Sequence, residues 1–219
     1  MSSDGACNIC GGTAFGPGPG GRLSRTQQLP ACSTCGALER HRSLRTIFDD
    51  LPLGLFYRSA ALQFSRDPSL EPRWFRTFEQ SIYGGDNSLD LQQIDRPDNA
   101  YDLISLNHVL EFVPNARKAF AELVRISSAG GLIQIGFSEA DKRDACIDCD
   151  KPSGPHGHYH LFGVDLGAYF DLEAHGMRCC VCRSVDPVTG QAESFHFFAR
   201  NQAILDTIVN HLASVASAS

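Results

Sequence analysis

Two short cysteine motifs open the chain, Cys7-Asn-Ile-Cys10-Gly11-Gly12 and Cys32-Ser-Thr-Cys35-Gly36. Thiolates two residues apart can bite one metal ion, and two such pairs can close a tetrahedron around zinc. The glycine after each second cysteine permits the positive φ that turns backbone amides toward the sulfurs. Cys7, Cys10, Cys32 and Cys35 are therefore read as a structural zinc ribbon, with four protein ligands and no position left for substrate. Between them, Gly16-Pro17-Gly18-Pro19-Gly20-Gly21 cannot form a helix and suits the ribbon's tip. Further on, Cys146-Ile-Asp-Cys149 lies in a polar stretch, and Cys179-Cys180-Val-Cys182 on an expected strand puts Cys180 and Cys182 on one face. Either these two pairs converge on a second zinc, or Cys146 and Cys149 recruit His156, His158 or His160. The third and preferred reading is a loop pair of free thiols with core cysteines on a strand.

The chain is 219 residues long with a formal charge of −6, room for one α/β core and a small appended module. No apolar run approaches the ~18 residues of a membrane span, and the start has no secretory pattern, so the protein is expected in the cytoplasm with no membrane partner. Nine cysteines in a reducing compartment fit metal ligands and spares better than disulfides. The acidic balance argues against nucleic acid as partner. Arg22, Arg25, Arg40, Arg42 and Arg45 form a local basic stretch, read as a solvated face with paired charges along a helix.

The elements that must position these residues follow from periodicity. Leu38, His41, Leu44, Ile47 and Phe48 recur at helical spacing, so 37–50 reads as a helix tying ribbon to main domain, stopped by Pro52 and Gly54. From Ser59 onward short apolar runs alternate with helical stretches, the signature of βαβ units. Strands are expected at 59–65, 76–83, 101–106 and 132–137, with a closing antiparallel pair at 177–184 and 193–200. Helices are expected at 114–128, opened by Pro114 and closed by Gly130-Gly131, and at 164–175, stopped by Gly176. An amphipathic stretch, 202–212, can pack on the core or on a second copy of the chain, which leaves a homodimer open. The fold class is thus α/β, a Rossmann-like doubly wound sheet with a small N-terminal ribbon. It divides into ribbon and linking helix (1–50), main domain (51–200), and C-terminal helix with a fraying tail (201–219).

The segment from Tyr101 to Arg125, YDLISLNHVLEFVPNARKAFAELVR, followed by Gly130-Gly131-Leu-Ile, closely resembles the fourth strand, helix and fifth strand of class I S-adenosylmethionine-dependent methyltransferases of the type 11-like kind. Their common pattern reads FDLI..NHVLEHV.D...A..EL.RVL.PGG.L. The resemblance extends to a subgroup whose N-terminal zinc ribbon ends in C..CG..ERHR, matched by Cys32 to Cys35 and Glu39-Arg40-His41-Arg42. It implies a cofactor lying across the carboxyl ends of the first strands, where strand order reverses. Phe64, Ser65 and Arg66 would form the turn after the first strand, and Glu79 would take the acidic place that grips the ribose, with Asp86 a rival. Asp90 would stand near the adenine amine, and Asn107 and His108 would line the crevice opposite the methyl group. His158-Tyr-His-Leu-Phe-Gly163 resembles the subgroup's DHVR.YG and would overhang the site. His108 and His158 are candidates for base or substrate orientation, with a structural role as the alternative for each.

Departures accompany the resemblance. Where a D.G.G loop, or HFAPE in the subgroup, is common, this chain has Gln63-Phe-Ser-Arg-Asp67 with no glycine, and Phe112 stands where a second histidine is frequent. The leading expectation is a methyltransferase using S-adenosylmethionine on a small-molecule acceptor, with structural zinc. The alternative is a methyltransferase-fold scaffold that docks a partner through the ribbon.

Overall fold

The computed structural model describes residues 5–85, 87–154 and 157–218, so Asp86 and His156, named above, lie outside the described residues. In chain order the elements are β1 (Phe15–Gly16), β2 (Ala31–Cys32), α1 (Glu39–Asp50), β3 (Ala60–Phe64), β4 (Thr77–Ser81) and β5 (Tyr101–Asn107). Then come α2 (Ala116–Ile126), β6 (Ser127–Gly136), β7 (Ile147–Ser153), β8 (His158–Leu161), α3 (Leu166–Tyr169), β9 (Arg178–Val185), β10 (Ala192–Ala199) and α4 (Gln202–Ala218).

Six strands form the central sheet in the order β4-β3-β5-β6-β10-β9. The first four run parallel, and β10 runs antiparallel to both β6 and β9. This is the mixed, mostly parallel sheet of class I methyltransferase type. Continuous burial along β3 (Ala60, Ala61, Leu62, Gln63, Phe64) reflects cover on both faces. One face packs with α2 and α3 through Ala119, Phe120, Leu123 and Phe170; the other packs with α1 and α4 through Leu44, Ile47, Phe48, Leu205 and Ile208. Phe120 is wholly buried and stacks on Phe170 at 4.5 Å, so truncating it to alanine would cost about 3–5 kcal/mol. No described helix is long and apolar enough to cross a membrane.

Several elements differ from their expected form for identifiable reasons. The connection from β3 to β4 holds one 3-10 turn, Pro72–Trp74, in place of a helix. α2 begins after Pro114 because Asn115 is the cap, accepting from the Lys118 amide at 2.9 Å. It ends at Ile126, and Gly130-Gly131 lie inside β6 instead of closing the helix. A Cβ at Gly131 would come within 2.5 Å of Ser127 Oγ, so close packing inside the strand is the reason for that glycine. α3 is a single turn, and the chain continues in turns to Gly176, at φ +61°. The glycine-proline loop contains one 3-10 turn, Pro19–Gly21. The polar stretch around Cys149 is a hairpin, β7 with β8, whose exposed strand carries no apolar alternation to announce it.

Candidate active site and four-cysteine centre

The two knuckles fold alike. Gly11 N–H donates to Cys7 O and Gly36 N–H to Cys32 O, both at 2.8 Å, and the two glycines sit at φ +75° and +73°. A side chain would be strained at either. The sulfurs of Cys7, Cys10, Cys32 and Cys35 lie within 4.8 Å of one another, with Cys7 to Cys35 at 3.8 Å and Cys10 to Cys32 at 3.5 Å. Thiolates ~2.3 Å from a tetrahedral zinc stand about 3.8 Å apart, so the donor set fits that ion. The other cysteines do not assemble so. Cys146 accepts from Gly163 N–H at 3.2 Å and packs on the α2 face of the sheet, whereas Cys180 and Cys182 pack on the α1 face. Among the described residues no second group of three or more ligands forms.

The ribbon is locked to the sheet by charges. Arg42, wholly buried, gives a two-pronged pair to Asp186 at 2.7 and 2.8 Å and also donates to Pro30 O and Ala37 O. Arg22 pairs with Glu39, Arg25 with Glu193 and Arg45 with Asp49. The expectation of a solvated basic face is thus corrected at Arg42: that guanidinium is a core anchor between the ribbon and the turn after β9.

At the carboxyl ends of β3, β4 and β5 lies a cavity of about 770 Å³, lined by Phe64, Ser65, Ser81, Asp90, His108 and Phe112 among others. The sheet opens there because β3 is flanked by β4 on one side and β5 on the other, so successive connections diverge. Ser65 holds φ +70°, the conformation a glycine would supply, and its N–H donates to Ser81 O at 2.8 Å. The glycine-free loop therefore reaches the tight turn with a serine. Behind it Asp67, almost wholly buried, accepts from Ser69 N–H at 2.8 Å and from Asn107 Nδ2 at 2.6 Å. Burial works against its charge, but the neighbouring His41 and these hydrogen bonds hold its carboxyl below the usual range.

Phe64, Ser65, Asp90 and His108 line the cavity as expected. Asp90 accepts from Gln92 N–H at 2.8 Å, which fixes its carboxylate in the turn at the cavity wall. Three expected residues are elsewhere. Glu79 sits two residues before the end of β4 and is held by Arg96 and Tyr101, with Asn87 Nδ2 at 2.9 Å. Burial opposes its ionisation, but those donors, Arg96 foremost, keep its carboxyl below the usual range. Arg66 is exposed beside the loop, and Asn107 is tied back to Asp67. Neither is part of the cavity wall. Ser81, Tyr83, Ser88 and Gln92 do line it, and no motif announced them.

Burial, then the charges of Arg40 and His41, push His108 down to about 3, so its ring is neutral near pH 7 and a weak base. His158 stands on β8 with its ring 4.9 Å from that of Phe112. The hairpin that carries it is pinned by His160, whose ring nitrogens meet Asp148 at 2.7 Å and Val113 O at 2.8 Å. The hairpin thus rests on the turn that supplies Phe112 and Val113 to the cavity.

The family described as "Methyltransferase domain" matches residues 80–135, about a quarter of the chain running from the end of β4 into β6. Among solved structures, similarity extends to a 1,6-didemethyltoxoflavin-N1-methyltransferase from Burkholderia thailandensis with bound S-adenosylhomocysteine. The identity is 14%, 71% of this chain and 77% of that one are covered, and the TM-score is 0.48. A SAM-dependent methyltransferase from Aquifex aeolicus is 15% identical over 71% of this chain and 88% of its own, at a TM-score of 0.47. A putative methyltransferase from Bacillus halodurans is 11% identical, with 71% and 94% covered and a TM-score of 0.45. No curated protein matches by sequence. Residues 80–135 thus match a methyltransferase domain, and such a domain implies an S-adenosylmethionine-dependent methyltransferase.

Proposed function

We propose that the protein transfers a methyl group from S-adenosylmethionine to a small-molecule acceptor, with zinc held by Cys7, Cys10, Cys32 and Cys35. The observation that carries the reading is the cavity of about 770 Å³ at the strand-order switch, with Ser65, Asp90 and His108 on its wall. That volume lies within the range of ligand pockets, roughly 300–1,000 Å³. Asp90 would hold the adenosine end and the Ser65 turn would bring backbone close to the cofactor. With His108 neutral and weakly basic, transfer would rely on in-line positioning of a nucleophile, with His158 and Phe112 shaping the acceptor side. A small acceptor fits better than nucleic acid, since four of the five arginines near the front are paired with carboxylates and the net charge is −6. Zinc would organise the ribbon and take no part in the transfer.

One observation favours the alternative of a scaffold with a decayed cofactor loop: Glu79, the expected ribose carboxylate, is engaged by Arg96 and Tyr101. Titration calorimetry with S-adenosylhomocysteine separates the two. A methyltransferase binds it with a dissociation constant in the micromolar range or tighter; absence of heat, with no nucleoside carried through purification, establishes the scaffold.

A further inference from the structure

Aromatic side chains carry large apolar faces that a fold covers where it can. Among the described residues three are exposed, Tyr57, Tyr83 and Phe112, and two of the three line the cavity at the strand-order switch. Tyr83 reaches it from the turn after β4 and is 98% exposed; Phe112 reaches it from the turn after β5 and is 46% exposed. Phe112 is braced. The His158 ring stands nearly perpendicular to it, at 4.9 Å and 82°, and His160 on the same strand is bonded to Val113 O, one residue beyond Phe112. A ring steadied by such a neighbour and left bare in a ligand cavity is a stacking platform for a planar guest.

The rest of the lining sets the charge that such a guest can carry. Among the described residues around the cavity Asp90 is the one carboxylate, and no lysine or arginine stands there. A carboxylate or phosphate on the guest would leave water for a wall with no cation to receive it, which is costly. Leu89, Val109 and Val113 add apolar surface, and the wall therefore suits an uncharged molecule. It also lacks a strong base. His108 is pushed down to about 3, by burial before anything else, and the Asp90 carboxylate accepts from Gln92 N–H at 2.8 Å. A hydroxyl has to shed its proton to attack well, whereas the lone pair of an aromatic ring nitrogen is ready without a base.

We propose that the methyl acceptor is an uncharged, planar nitrogen heterocycle that stacks on Phe112 and is methylated on a ring nitrogen. This rests on the methyltransferase reading. The nitrogen's lone pair forms the new N–CH3 bond as the C–S bond of the sulfonium breaks, and sulfur keeps the electron pair of that bond. Positive charge passes from sulfur to the heterocycle, and no proton has to move in the step. Aromatic faces attract a cation, so the Tyr83 and Phe112 rings suit the charge both before and after transfer.

The test is calorimetry near neutral pH on the full chain loaded with S-adenosylhomocysteine, using isoquinoline, which is uncharged there, and isoquinoline-1-carboxylate, the same ring system bearing an anion. Isoquinoline should bind, and its carboxylate should bind at least about tenfold more weakly. Phe112→Leu should weaken isoquinoline about tenfold and Phe112→Trp should retain it. Both variants should keep their affinity for S-adenosylhomocysteine within about twofold, which shows that they are folded. With S-adenosylmethionine supplied, mass spectrometry should find N-methylisoquinolinium, and 2-naphthol should stay unmethylated. Any of four results overturns the proposal while the methyltransferase reading stands: no binding or no methylation of isoquinoline by protein that binds S-adenosylhomocysteine, a carboxylate that binds as tightly, an isoquinoline affinity that Phe112→Leu leaves unchanged, or methylation of 2-naphthol instead. If the protein binds no S-adenosylhomocysteine, the methyltransferase reading fails first and the acceptor assignment with it.

Discussion

At the scale of single residues, the two acidic side chains near the cavity have traded prominence. Glu79 lies mid-strand on β4, with Arg96, Tyr101 and Asn87 around its carboxylate; Asp90 lies on the cavity wall with Gln92 as its near partner. Glu79→Gln should therefore leave the affinity for S-adenosylhomocysteine within about twofold, whereas Asp90→Ala should lower it about tenfold, a loss of ~1.4 kcal/mol. The reverse ranking by calorimetry would return the ribose role to Glu79. Glu79→Gln should instead show in denaturation, as a loss present above the ordinary carboxylate range and fading as pH falls through the depressed pKa of the folded state. The sequence located both acids but not the end of β4, because Thr-Phe-Glu-Gln-Ser has no residue that marks where pairing with β3 stops. Arg40 was read within the basic stretch as part of a solvated face, and the burial of its Nε is a fact of three-dimensional packing.

At the scale of elements, most of the sheet was legible because buried parallel strands read as apolar runs: β3 and β5 differ from expectation by one residue at their ends. The β7-β8 hairpin was not, because β7 is largely exposed and holds its register through polar pairs, among them His160 with Asp148. α1 was legible as a helix but not as a clasp. Its stripe from Leu38 through Arg42 places a guanidinium where a buried apolar side chain is usual, a cue that a carboxylate must wait across from it. Replacing Arg42 by Met would strand Asp186 with its charge buried and unbalanced, and should destabilise the chain by about 3–5 kcal/mol. Chemical denaturation of Arg42→Met and of an Arg42→Met, Asp186→Leu double variant checks it: the double variant should recover much of the loss. Removing metal with a chelator should act on the same clasp, because Pro30 O and Ala37 O, which Arg42 also holds, flank Cys32 and Cys35. The expected result is a lower melting temperature, restored by added zinc, and equal melts with and without chelator would show that the cluster does not support α1.

At the scale of the whole molecule, the same burial that shapes the site sets the pH at which the protein is most stable. Burial pushes His108 down to about 3 and His196 to about 4, and lowers His41 in spite of Asp67 beside it. In the unfolded chain each titrates near 6.5. As pH falls below that, the unfolded chain takes up protons that the folded one refuses, so all three rings favour unfolding in acid. Glu111 works the other way. Burial raises its carboxyl to about 7 from an ordinary 4.5, so between those values the folded state holds one proton more than the unfolded, and its contribution to stability falls as pH rises. Burial also raises the carboxyls of Asp50 and Glu193, which act in the same sense as Glu111, but the three rings outweigh them, and the melting temperature should climb from pH 5 to about 6.5 and level off near neutrality. Calorimetric melts across pH 5–8 measure the slope, and Glu111→Gln isolates the opposing group: its melting temperature relative to the natural protein should improve steadily as pH rises from 5 to 7. A natural protein that melts highest at pH 5 would mean that these rings take up protons in the folded state, and the burial of His41, His108 and His196 would be wrong.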